Sequence, residues 1–200
     1  MDKLNYKNMV MKQKLLNILI ISSFISIIIG IFYLLFISKS NKNLVLNTLN
    51  NFFNTIKTNK LNYQSGLFNS FSSNTLTIIS IWLIGISIVG IPIVIIILLF
   101  KAFILGFSIS SLIYFYNFKG IILALIYIIP QVINLVTIII LSFFSITFSK
   151  NLFKMFFLKR TLNFKLLTNK YLKILGLSLV VMLLSTIIEV FIVPYVFKIF

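Results

Sequence analysis

Cysteine and histidine are absent from the chain, and Asp2 and Glu189 are its only acids. Without cysteine there is no disulfide and no thiolate to serve as nucleophile or metal ligand. Two acids and no histidine leave no material for metal clusters, carboxylate pairs or His-dependent triads. No enzyme is therefore expected, and no metal, cofactor or small-molecule substrate. A Ser–Lys arrangement, for example Lys101 with Ser108, is formally available. Charge of any kind is scarce: 10% of the residues carry it, against roughly 25% in soluble domains.

Apolar side chains fill the space instead, at 60% of 200 residues with a mean hydropathy of +1.13. Several apolar stretches exceed the ~20 residues that cross a bilayer as a helix, and nothing alternates as a lipid-facing barrel would. Backbone amides facing hydrocarbon must be paired within the segment, which leaves helices. The expected fold is all-α: a polytopic membrane protein of about five transmembrane helices, N-terminus cytoplasmic and C-terminus outside. The 18 basic residues give a formal charge of +16, which in a soluble chain would suggest nucleic acid. Here they flank apolar segments, where they orient spans and meet anionic lipid headgroups. Headgroups are the expected partners, and nucleic acid is not.

A single membrane domain over 1–200 is expected, with spans at 15–37, 76–100, 102–116, 120–149 and 171–197. The first follows a basic head carrying Lys3, Lys7, Lys12 and Lys14 and reads as an anchor, not a cleaved signal. Ser22, Ser26 and Gly30 fall on one face of it, and Ala102, Gly106 and Ser110 form a similar stripe on the third span. Such faces let helices approach closely. Residues 38–73 form the outer loop, in which Leu44, Val45, Leu49, Phe52, Phe53 and Ile56 recur at the spacing of an amphipathic helix. Its Asn- and Ser-rich remainder, through Tyr63, Gly66 and Asn74, reads as loop. Lys101 marks the cytoplasmic end of the second span, and 117–119 make the turn before the fourth. The basic, aromatic-rich segment 150–170, with Lys154, Lys159, Arg160, Lys165 and Lys170, is expected to lie on the cytoplasmic leaflet. This topology leaves outside only Lys39, Lys42, Lys57, Lys60, Lys119 and Lys198. A re-entrant hairpin at 102–129 would move the basic block outside, against the positive-inside bias.

Glu189 sits inside the last span, where an ionisable group is costly and usually has a partner. Gln131 and Asn134 lie at comparable depth on the fourth span, so a buried polar contact joining these two helices is expected. Pro92 and Pro130 each remove a backbone donor and can kink their helices.

The stretch WLIGISIVGIPIVIIILLFKAFILGFSISSLIYFYNFKGIILALIYIIPQVINLV resembles the core of the stage II sporulation protein M family. A glycine-rich span ends in GIP, an apolar helix leads to a K-A-F-x-x-G-F element, then come a KG turn and an apolar run into Pro-Gln. Trp82, Gly85, Gly90, Pro92, Lys101, Gly106, Phe107, Gly120, Pro130, Gln131 and Asn134 carry the match. Glu189 and Pro194 resemble the family's terminal E-x-F-x-x-P signature, and Gly30 also fits. Ala102 stands where glycine is common, and Asn134 lies three residues beyond Gln131 where Pro-Gln-Asn is more usual. The resemblance implies a noncatalytic scaffold in the bacterial cell membrane, at the sporulation septum and engulfing membrane. It would hold stage II sporulation proteins D and P, which degrade peptidoglycan in septal thinning and engulfment. The alternative is a permease or transport component working with an ATPase.

Overall fold

The computed structural model describes residues 3–157, 159 and 163–198, with the side chains of 3–9 not described. Asp2 and Arg160 lie outside these residues. The described chain is all-α: α1 Lys3–Phe36, α2 Lys39–Lys57, α3 Tyr63–Ile84, α4 Gly90–Phe156, α5 Phe164–Ile187, a π-turn Ile188–Ile192 and α6 Val193–Phe197. Among the described residues four helices are long and apolar enough to cross a membrane: Val10–Phe36, Tyr63–Ile84, Gly90–Phe156 and Phe164–Phe197. The protein is a multi-pass membrane protein.

At 67 residues, a straight α4 would run about 100 Å, more than three times the ~30 Å of a bilayer core. It folds back instead. Asn117, with φ 50° and ψ −125°, is its one residue with non-helical dihedrals. Asparagine tolerates positive φ better than most side chains. Gly120 lets the two arms close up, because a Cβ there would meet the Leu112 carbonyl. The arms, 90–116 and 118–156, are separate segments of the bundle, so five apolar segments pack together.

Side-chain contacts give their relative directions. Ser26 of α1 donates to the Leu99 carbonyl at 2.6 Å, and Tyr33 meets the rings of Phe103 and Phe107. These pairs advance together, so α1 and the first arm run parallel. Ser145 and Ser149 donate to the carbonyls of Ile81 and Ser87, so the second arm runs parallel to the end of α3. Phe148 stacks on Tyr171 while Ser185 donates to the Pro130 carbonyl, so α5 runs antiparallel to that arm. Successive segments therefore alternate in direction, and the core lies among them around Leu19, Ile78, Ile81, Leu98, Leu141 and Met182.

The boundaries differ from the expected ones in three places. The break between the second and third segments lies at 85–89, and Lys101 stands inside a helix that begins at Gly90. Proline explains the shift: Pro92 sits in the first turn of α4, where its missing N–H is among the donors that lack an intrahelical partner anyway. It starts a helix there and kinks none. Tyr63, Gly66 and Asn74, expected in a loop, belong to α3, whose Asn62 cap accepts from the Ser65 amide at 3.0 Å. The expected head and basic segment are also largely helical, as extensions of α1, α4 and α5.

The expected amphipathic helix is α2. Ser38 caps it by accepting from the Asn41 amide. Its apolar face rests on the fold-back of α4 and on α6, with Ile56 buried, Phe53 against Tyr116 and Phe197, and Tyr116 donating to Asn50 at 2.7 Å.

Candidate functional site

The π-turn that carries Glu189 has a local cause. Pro194 cannot donate to the carbonyl of Val190, and its ring crowds that group, so the preceding turn loosens into i→i+5 geometry. Such turns widen a helix by one residue, re-aim a side chain, and are frequent at functional sites. Glu189 is the second residue of this one.

Gln131 donates to Glu189 Oε1 at 3.0 Å, joining the second arm of α4 to the last helix. Ser185 reinforces the same seam through the Pro130 carbonyl at 2.8 Å. Lys101, on the other arm, lies within electrostatic range of the Glu189 carboxyl, and Asn74 of α3 approaches it. Three helices thus bring a carboxyl, an amine and two amides together inside an apolar bundle. Among the described residues Glu189 Oε2 has no hydrogen-bond partner. Asn134 does not join this contact, although it was expected to: it is 5% exposed and neither its nitrogen nor its oxygen is paired.

Two cavities lie beneath α2, and Glu189 lines the smaller of them. One of about 190 Å³ is lined by Glu189 itself, Asn62, Tyr63, Ser70 and apolar groups from α2 and α6. The other, about 400 Å³, lies between Leu44, Val45 and Leu49 of α2 and Phe107, Ser108 and Leu112 of α4. Phe52, Tyr127 and Phe197 line both.

The small-residue faces of α1 and the first arm of α4 meet each other. A Cβ on Gly30 would collide with the Phe103 carbonyl and one on Gly106 with the Ile27 carbonyl. Ala102 is fully buried and Ser26 bonds across the seam. The hydroxyls of Ser22 and Ser110 return to the Leu19 and Phe107 carbonyls of their own helices.

At the opposite end of the bundle Trp82, Gly85 and the 85–89 turn are packed by groups on other helices. Tyr171 stacks on Trp82 and donates to its carbonyl at 2.8 Å. A Cβ on Gly85 would land on Ser145 Oγ and the Tyr171 hydroxyl, and one on Gly90 would meet the Ile84 carbonyl.

A model of the family described as stage II sporulation protein M matches residues 19–194. The chain belongs to that family. Every residue singled out by resemblance falls inside the match, from Gly30 to Pro194. No curated protein and no solved structure matches the chain. Chemically, the family-motif residues of this chain hold helices together: glycines at crossings, Pro194 at the π-turn, Gln131 on Glu189. Among the described residues no group of three or more metal-ligating side chains occurs.

Motif reading missed Asn74, Ser145, Ser149, Tyr127 and Tyr171. Ser142, Ser145 and Ser149 recur at helical spacing on the second arm, a stripe like those noticed at Ser26 and Gly30. Asn74 and Tyr171 carried no such signal, because their neighbours are distant in sequence.

Proposed function

We propose that this protein is a noncatalytic scaffold in the bacterial cell membrane that holds peptidoglycan-degrading proteins at the sporulation septum. Its partners are stage II sporulation proteins D and P. The observation that carries this reading is the family match over 19–194, and the lack of histidine and cysteine supports it. Five crossings of alternating direction would leave the two termini on opposite sides, and the positive-inside bias supports the N-terminus inside and the C-terminus outside. Moving the turn to 85–89 preserves that parity, and the basic residues of α1 and 150–173 then lie on the cytoplasmic leaflet. α2 lies on the outer face, where membrane-anchored hydrolases would meet it.

The permease reading needs a second route to Glu189 from the end that carries residues 85–89. There Ser145, Ser149 and Tyr171 tie α3 to α4 and α5 through backbone carbonyls. That packing supports the scaffold over the permease.

Glu189→Ala is expected to lower the level or assembly of the complex, read by blue-native electrophoresis of solubilised wild type and variant. An unchanged complex with lost solute flux would favour the permease. Affinity purification from sporulating cells is expected to bring down proteins D and P. An associated ATPase in their place would overturn the scaffold.

A further inference from the structure

At the end of the bundle that carries the 85–89 turn, a cleft of about 170 Å³ opens between α1, the second arm of α4 and α5. Two cations from different helices line it, Lys12 of α1 and Lys170 of α5, together with the rings of Phe144, Phe148 and Tyr171. Lys12 stands three residues before Leu15, where the apolar run of α1 begins, and Lys150 closes the apolar run of α4. That places the mouth of the cleft at the level of lipid headgroups. Phe144 precedes Asn151, which also lines the cleft, by about 10 Å along the arm, so the lining turns from polar to aromatic with depth. Lys170 Nζ rests 5.5 Å from the centre of the Phe144 ring, which keeps the ammonium over the cleft without neutralising it. Both lysines are exposed. Glu189, the only acid among the described residues, lies at the other end of the bundle beside Gln131.

We propose that this cleft binds one anionic phospholipid, its phosphate between Lys12 and Lys170 and the start of one acyl chain on the Phe144, Phe148 and Tyr171 rings. Charge complementarity selects the occupant. A zwitterionic lipid brings its own cation against two ammonium groups, and a second copy of this chain, at +16, brings more positive charge. The lipid bridges α1 and α5 across the arm of α4. The site rests on the placement of this end at a leaflet and is independent of the scaffold reading, so its loss and the loss of proteins D and P are separate results.

Trp82, the single tryptophan, stacks on Tyr171 with ring centres 5.7 Å apart and reports on the cleft. The full chain is reconstituted in phosphatidylcholine vesicles, and a rising share of the lipid is replaced by phosphatidylglycerol brominated on its acyl chains, which quenches a nearby indole. Half-maximal quenching is expected at about a tenfold lower mole fraction than with brominated phosphatidylcholine. Lys12→Gln combined with Lys170→Gln is expected to make the two lipids equivalent. Lys14→Gln combined with Lys173→Gln, the same charge change at exposed positions outside the cleft, is expected to preserve the difference. Equal quenching by the two lipids on the wild type, the result if an acidic protein segment or a second copy covers the cleft, would overturn the proposal. So would a preference that survives Lys12→Gln with Lys170→Gln, or one lost equally in both double variants, which is the mark of diffuse surface charge.

Discussion

The two ends of the bundle join the same helices by different chemistry. At the turn between α3 and α4, Ser145, Ser149 and Tyr171 each donate to a backbone carbonyl, and Tyr171 is clasped between Trp82 and Phe148. The Ile81 and Ser87 carbonyls also accept from the Gly85 and Gly90 amides, whereas the Trp82 carbonyl, at the end of α3, has Tyr171 as its donor, and a carbonyl at a helix end needs one wherever it lies in the membrane. Beneath α2 the seam is a side-chain pair, Gln131 on Glu189, with a cavity beside it and, among the described residues, no hydrogen-bond partner for Oε2. The first arrangement anchors the fold. The second spends packing density on an acidic group that the fold alone does not require. Among the described residues Trp82 Nε1 and Thr168 Oγ1 lack partners near the anchoring end as well, so the contrast lies in what the bonds join and not in complete satisfaction at one end.

The most damaging change should fall at the anchoring end. Gly85→Val would place carbon where Ser145 Oγ and the Tyr171 hydroxyl now lie. Helix α3 would have to move off both neighbours, at a cost above the usual ~1–3 kcal/mol of an overpacked core. The expected outcome is loss of the monodisperse peak in size-exclusion chromatography of the detergent-solubilised chain. A normal profile would show that the turn at 85–89 is more forgiving than its packing suggests.

A smaller effect is expected from Tyr171→Phe, which keeps both ring stacks and removes one donor. The Trp82 carbonyl then loses its partner, worth about 1–2 kcal/mol for a buried group. Thermal unfolding followed by intrinsic fluorescence should show a lowered midpoint with the chain still folded. A change no larger than that of an exposed substitution such as Tyr195→Phe would place the stabilisation of this end in the stacking alone.

Much of this architecture could be read before any coordinates, because in a membrane hydropathy and backbone pairing leave few options. The first segment, the amphipathic α2 and the contact between Gln131 and Glu189 follow from apolar length, helical spacing and the cost of a lone carboxylate. The break at 85–89 did not, since Lys101 is the one charge in a long apolar run and a charge looks like an end. The lysine stands in mid-helix within the electrostatic reach of Glu189, a group 88 positions along the chain. Asn74 and Tyr171 were hidden for the same reason. Their roles are set by partners on other helices, which periodicity within one segment cannot reveal. The paired stripes Ser26–Gly30 and Ala102–Gly106 were each legible alone, whereas their mutual contact needed the fold.

Asn134 gives the finest test of the difference between the ends. It lies one turn from Gln131, is 5% exposed, and has both amide atoms unpaired among the described residues. If that region is held for Glu189 and not for stability, replacing the amide by an apolar group of similar size should cost nothing. Asn134→Leu removes two unsatisfied polar atoms from an apolar surrounding, so it is expected to leave the unfolding midpoint unchanged or raise it, by an amount corresponding to about 1 kcal/mol. The same substitution in Gln131 strips the donor from Glu189 Oε1 and should lower the midpoint. Opposite signs for two amides one helical turn apart would separate a polar group that serves the carboxylate from one that does not. If Asn134→Leu also destabilised, the amide would belong to the same network as Gln131, and the polar seam beneath α2 would extend deeper into the bundle than the hydrogen bond to Glu189.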